Sequence, residues 1–347
     1  MKIKKKLLAK LDKVYAVSPT IVGDETRLIF ATEGHGACLQ FAGPELKQST
    51  VWEQPGGTMT VVPIPGKNGD FLAVQNFFPT FQGERATVVW ATPKPDGRWE
   101  VRTILSLPYV HRIDVLRVDG INYFLAATIC TSKASRDDWS DPGKLWVGIL
   151  PDRPDKELLI RPLREGLTRN HGYNRLTWKA RERAFVTCDE GVFILTPPAS
   201  SGAEWMIEKL LDRPVSDIAV CDIDEDGETE LLTIEPFHGQ TIAISKRIGD
   251  SYEIVWKYED KPVEFGHVAW GGQLQNIPTF ICGYRRLAAD LFYVQCESKN
   301  PLKFKVTMIE EGVGAANISV LHKDDEDIIM SSNRAHGEAA LYIGTAE

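Results

Sequence analysis

The feature that most constrains this chain is an internal repeat of about fifty residues, the mark of a fold assembled from one supersecondary unit used many times. Residues 98–116, 204–222, 251–270 and 303–321 each read as an alternating strand, a short turn and a second strand. The core positions Ile218, Val268 and Ile318 recur at a spacing of 50 residues. After each second strand comes a hairpin and then a β-rich run closed by a polar turn, and about seven such runs can be counted, from RLIFATEGHGACLQF to DIIMSSNRAHGEAALYIG. Period-2 alternation without a convincing helical pattern makes the fold class all-β. The expected architecture is a seven-bladed β-propeller of four-stranded antiparallel blades, occupying residues 1–347 as one domain.

The two ends of the chain bear on how such a ring closes. The last run, ending at ALYIG, stops one strand short of a full blade, while residues 3–17 resemble the outer-strand-plus-turn unit at 100–113. The N-terminal strand is therefore expected to join the last blade and remove an exposed edge, with its lysines on the solvent face. Lys10, Asp12 and Lys13 interrupt any apolar stretch there, so the segment is read as part of the fold rather than as a secretory signal.

Composition narrows the setting. With 43% hydrophobic and 25% charged residues the chain can bury a core and is neither disordered nor membrane-spanning. A net charge of -8, with no basic stretch beyond the N-terminal lysines, argues against nucleic acid and anionic membrane as partners. Six cysteines (Cys38, Cys130, Cys188, Cys221, Cys282, Cys296) lie mostly in apolar strand-like runs without CxxC spacing, which favours buried reduced thiols and a cytoplasmic protein. Oligomeric state is left open.

One loop has the spacing of a hard-cation site. Asp222, Asp224, Asp226, Glu228 and Glu230, with Gly227 at the turn, fit D-x-D-x-D-G-x-x-E, in which alternate carboxylates and a backbone carbonyl wrap calcium. Placed between the first two strands of a blade, such an ion would be structural. An acidic hairpin turn without metal is the alternative.

The unit around this loop, P-V-x-D-I-A-V-x-D-I-D-E-D-G-x-x-E-L followed by P-F-H-G, resembles the FG-GAP or VCBS repeats of integrin-like propellers. It is also similar to the propeller domain of aldos-2-ulose dehydratases, enzymes acting on keto-sugars. The close match covers one blade and a looser one extends over seven. The resemblance implies the propeller fold and the calcium loop. The cupin-like second domain of the dehydratases does not follow within this chain.

The histidines give the chemistry. In a propeller, the loops leading into each inner strand and those between second and third strands share one face, over the central channel. His111, His171 and His267 fall at the starts of inner strands, and His35, His238 and His336 in second-to-third-strand turns; only His322 maps to the other face. Histidine binds transition metals and transfers protons near neutral pH. We therefore take His111, His171, His267, Arg112, Arg175 and Tyr173 as candidate catalytic residues, and His35, His238, His336, Arg285 and Arg334 as candidate substrate contacts. A transition metal on this histidine face is a further expectation. The recurring His-Gly turn also has a structural reading, in which imidazole bonds the neighbouring backbone and glycine supplies a positive φ. The long turn at 131–144, with Arg136, Asp137, Asp138 and Trp139, is the largest departure from the repeat on the same face.

These residues suit a metal-assisted lyase, dehydratase or isomerase acting on a small carbohydrate, a uronate or keto-sugar, where a cation or arginine stabilises charge and a histidine or tyrosine takes the acidic α-proton. The alternative is a non-catalytic carbohydrate- or protein-binding propeller with one structural calcium site; a purely structural interaction module is a third. No G-x-S-x-G elbow, P-loop or dinucleotide fingerprint is present.

Overall fold

Hydrophobicity falls from the inside of each repeat to the outside, and the strands follow that gradient. In one repeat, β19 (Glu230–Glu235) is buried along almost its whole length, whereas β21 (Ser251–Lys257) is mostly exposed. Strands apolar on both faces must lie between other sheets, and strands with one polar face lie at the rim. The computed structural model describes residues 1–347 except 80, 179, 180, 201, 324 and 347. Among the described residues every named element is a strand, and the strands form seven four-stranded antiparallel sheets set in a ring.

The innermost strands are β2 (Val14–Val22), β6 (Val61–Pro63), β10 (Val110–Val118), β14 (Tyr173–Trp178), β18 (Asp217–Cys221), β22 (Val263–Leu274) and β26 (Ala315–His322), one for each of blades 1 to 7. Large side chains such as Trp90, Phe30, Phe124, Phe185 and Phe280 fill the space between blades and are wholly buried. Each such burial contributes roughly 1.5–3 kcal/mol.

Closure occurs as the sequence predicts. Strand β1 (Lys2–Lys10) pairs antiparallel with β28 (Glu338–Thr345), Lys2 opposite Thr345 and Lys10 opposite Glu338. Its backbone groups thus complete the seventh sheet, and β26 contacts β2 across the seam between the last blade and the first. The six cysteines are all free thiols.

Candidate active site

Four innermost strands slip in register at the same end, β26 between Ala315 and Ile318 among them, and three of the slips free a side chain for one cavity. The ladder slips between Val14 and Ala16 in β2, between Val110 and Arg112 in β10, and between Gly266 and Val268 in β22. The residue left over is Tyr15, His111 or His267. A bulge takes a side chain out of the sheet's alternation and re-aims it, and all three side chains line one cavity of about 250 Å³ over the central channel. His171 joins them from the segment before β14. A Cβ on the adjacent Gly172 would fall 2.4 Å from Ser216 O and from Thr187 Oγ1, so only glycine lets blade 4 approach blade 5 this closely. His238 arrives from the turn between β19 and β20 (Thr241–Ile248), where Phe237 and Phe265 stack on its ring at 4.0 and 4.1 Å.

Three residues of the cavity wall hold strained backbone. Phe81, His238 and Phe265, none of them glycine, hold φ values of 65°, 45° and 63°. Bulky residues rarely adopt this left-handed region unless their surroundings hold them there.

The hydrogen bonds fix the state of the imidazoles. His267 Nδ1 lies 2.5 Å from Ala316 O and His171 Nδ1 lies 3.3 Å from Ser216 O. A carbonyl only accepts, so each Nδ1–H donates and each Nε2 is left with its lone pair directed into the cavity. His171 Nε2 is 3.1 Å from His238 Nε2, and nitrogens of His171, His238 and His267 all fall within 4.8 Å of one another. Two nitrogens at 3.1 Å need a proton or a cation between them. Burial pushes the pKa of all four histidines down, that of His171 to about 3 and those of His111, His238 and His267 well below the ordinary value; neighbouring positive charges push the same way. The cluster is therefore neutral at physiological pH. His111 stacks beside His171 with ring centroids 4.7 Å apart, and its buried Nδ1 has no partner among the described residues. Carbonyl-oriented imidazoles with converging lone pairs are the arrangement that metal-binding histidines adopt.

Comparison with known proteins identifies the architecture and nothing finer. No family and no curated protein matches the chain. Solved structures do: the Cps50 (Swd1) β-propeller domain of Myceliophteria thermophila, at TM-score 0.61 and 10% identity over 99% of this chain and 100% of that one. The PQQ-bound aldose sugar dehydrogenase of Streptomyces coelicolor matches at TM-score 0.50 and 12% identity over 99% of both chains. A luciferin-regenerating enzyme matches at TM-score 0.52 and 10% identity over 99% of this chain and 96% of that one. The fold is a seven-bladed β-propeller. These likenesses bear on the fold alone.

Of the histidines assigned to the binding face, the structure gathers His111, His171, His238 and His267 into the cavity and leaves two at the rim. His35 is exposed and packs on Phe78 at 4.3 Å, and His336 is exposed with Nδ1 3.9 Å from Glu338. Their glycines, Gly36 and Gly337, hold φ of 143° and 58°, which meets the glycine half of the structural reading, while the imidazoles face Phe78 and Glu338 rather than neighbouring backbone. In blade 5 the histidine itself takes the positive φ, which carries its ring inward.

The channel residues divide as well. Arg285 and Arg334 line the cavity, both donating to the buried carboxylate of Glu33. Arg112, Tyr173 and Arg175, expected beside the histidines, instead line a separate polar cavity of about 180 Å³ that shares only His267 with the first. There Tyr173 Oη donates to Asp114 at 2.5 Å, Arg175 donates to Asp114 and Val115 O, and Arg112 Nε donates to His171 O at 3.0 Å. Arg112 also lies 3.9 Å from Asp217, whose pKa burial raises to about 6 against the arginine's pull. Arg175 lies two residues into β14, further along the channel than the bulge residues at the mouth, and Tyr173, the first residue of β14, is held on that side by its bond to Asp114. Tyr15, Phe77 and Phe265 were not singled out from sequence.

The acidic loop of blade 5 folds around a cation that the chain itself supplies. Lys246 Nζ, on β20, lies 2.6 Å from Asp224, 2.7 Å from Asp226 and 3.0 Å from Glu230. Asp222 accepts the backbone N–H groups of Asp226 and Gly227, and Glu228 is exposed. Oxygens of Asp222, Asp224 and Asp226 lie within 4.8 Å of one another, so the donor set suits a hard cation. A divalent ion would reach them by displacing the ammonium.

Proposed function

We propose that this propeller is a carbohydrate-active enzyme, a metal-assisted lyase, dehydratase or isomerase that takes a uronate or keto-sugar into the histidine-lined cavity. The observation that carries the reading is the convergence of His171, His238 and His267 with His171 and His267 held by carbonyls in the tautomer that a metal requires. Imidazole donors suit zinc, iron, nickel or copper, and such a metal, when bound, supplies Lewis acidity to the acid or keto group beside the C–H to be broken. His111 is a neutral imidazole whose buried Nδ1 has no partner among the described residues, which suits it to take the α-proton. The electron pair of that C–H bond becomes the carbon–carbon double bond as the C–O bond at the β-carbon breaks. Tyr15 Oη lies 3.3 Å from His267 Nε2 and turns to the cavity when that nitrogen is engaged, placing a proton donor at the departing oxygen. Return of the proton from His111 to Tyr15 resets the pair. Phe77, Phe81 and Phe265 supply apolar surface for a sugar ring.

The test is metal content by elemental analysis together with a screen of oligouronates and keto-sugars for an unsaturated, ultraviolet-absorbing product or an isomer. Metal binding with turnover of one class is the expected result. Sugar binding without turnover would leave a recognition module, and neither binding nor metal would remove the reading.

A further inference from the structure

Four arginines line the cavity, and they are not equivalent. Arg285 and Arg334 are engaged by Glu33, and Arg286 Nη1 donates to Glu264 at 2.8 Å. Each is therefore already paired, two of them sharing Glu33 and the third with Glu264. Arg136 lines the same cavity, and among the described residues its guanidinium has no hydrogen-bond or ion-pair partner.

The segment that carries Arg136 is tied down despite its exposure. Thr131 Oγ1 donates to Pro142 O at 2.6 Å and Ser132 Oγ to Asp141 at 2.7 Å, which pins the base of the loop. Lys133 Nζ donates to Arg136 O at 2.8 Å, and Ala134 N–H donates to Asp138 at 2.9 Å. At its tip Trp139 packs edge-on against Phe81 of blade 2 and Phe237 of blade 5, both at 5.4 Å, with the Lys133 ammonium 3.3 Å from the indole centroid. One inserted loop of blade 3 is thus docked on two other blades.

We propose that Arg136 binds the carboxylate of the substrate and that Trp139 is the residue that positions it. A guanidinium without a partner offers a planar pair of N–H donors, the complement of a carboxylate, and binding there strips no existing ion pair. The three other arginines would have to give up Glu33 or Glu264 first. The ligand class that follows is a sugar acid in preference to a neutral sugar. This deepens the proposed function only in taking the same cavity as the ligand site, and it does not depend on turnover.

The experiment measures binding of glucuronate and glucose by calorimetry to the full chain, as wild type, Arg136→Met, Arg136→Lys and Trp139→Ala. Wild type is expected to prefer glucuronate; Arg136→Met should weaken glucuronate by about tenfold or more and leave glucose unchanged, the loss of a charge-assisted pair. Arg136→Lys should keep part of the preference, and Trp139→Ala should lose it with little change in melting temperature. Equal glucuronate affinity in wild type and Arg136→Met, or no preference for glucuronate in wild type, would overturn the assignment. Glucuronate binding that depends on Arg136 but is accompanied by no turnover of any sugar would refute the catalytic reading and leave this one standing.

Discussion

The histidine cavity and the acidic loop of blade 5 both gather ligand-type side chains around a point, and they differ in what occupies that point. In the loop, Lys246 bonds Asp224, Asp226 and Glu230, so three carboxylates share one ammonium from β20, and among the described residues Asp224 Oδ1 is the oxygen of these left buried without a hydrogen bond. In the cavity, four imidazoles, three buried and that of His238 half-buried, are kept neutral, and two of them, His171 and His267, are held by carbonyls with Nε2 directed inward. Among the described residues, only His238 and the Tyr15 hydroxyl answer those lone pairs. Burying polar groups costs stability unless they are paired. A cluster that the fold satisfies internally reads as structural, and one that the fold holds ready but incompletely satisfied reads as a site for something external.

The sharpest way to break this comparison is to remove ligands from the cavity. His171→Ala, His238→Ala and His267→Ala should each lower turnover by roughly 10²-fold or more and reduce the metal retained on purification, the scale of a lost acid–base or ligand group. His35→Ala and His336→Ala, at the rim, should leave both nearly unchanged. Equal losses in the two sets would mean that the cavity is no more functional than its rim.

A smaller effect sharpens the other side. Lys246→Met leaves Asp224 and Glu230 buried without their cation, and a lost partner of that kind costs about 1–3 kcal/mol. In chelator the variant should melt about 1–4 °C below wild type, and calcium should restore much of the difference by taking the vacated place. Wild type should melt within about a degree with or without calcium, since its ammonium is already in position. A wild type stabilised by calcium as strongly as the variant would make the loop a divalent site with the lysine a bystander. In that case Asp224→Ala would be destabilising in calcium and nearly silent in chelator.

How much of this could be read from the sequence follows from which interactions are local. The seven runs, the alternation within them and the closing strand are properties of consecutive residues, and they specify the ring. The histidine face was legible because loops of one type share one end of every blade. What the residues do at that end depends on register, which no single repeat displays: Tyr15 occupies the same bulge position in β2 as His111 in β10 and His267 in β22. Aligning VYAV with VHRI and GHVA would have found it. Arg112, Tyr173 and Arg175 were grouped with the histidines because a one-repeat alignment does not say how far along the channel a residue lies. Lys246 is 16 residues beyond the last ligand of its loop and on another strand, so only β-pairing brings it to Asp224. The free guanidinium of Arg136 was likewise out of reach, since it is defined by what three other arginines already bind.

The closing strand offers a third case of lysine meeting carboxylate, with the smallest expected effect. Glu338, at the start of β28, accepts from Lys5 Nζ at 2.8 Å and from Lys10 Nζ at 2.9 Å, so these pairs join β1 to the last blade. Burial alone would raise the carboxyl's pKa, but the two lysines outweigh it and bring the value from 4.5 to about 2. A carboxylate depressed in the folded state contributes stability that is complete above its unfolded pKa and is lost as pH falls through the folded one, here between about 4.5 and about 2. Lys10 is largely exposed, so solvent screening keeps the contribution to about 1 kcal/mol or less. Glu338→Gln should therefore lower the melting temperature at neutral pH by about a degree or two and flatten the fall of melting temperature between pH 4.5 and 2. Wild type and variant with the same slope in that window would show that the seam is held by the β1–β28 backbone ladder alone. Deleting residues 1–11 should then still lower the melting temperature, because it removes that ladder and bares the edge of β28 whatever the charges contribute.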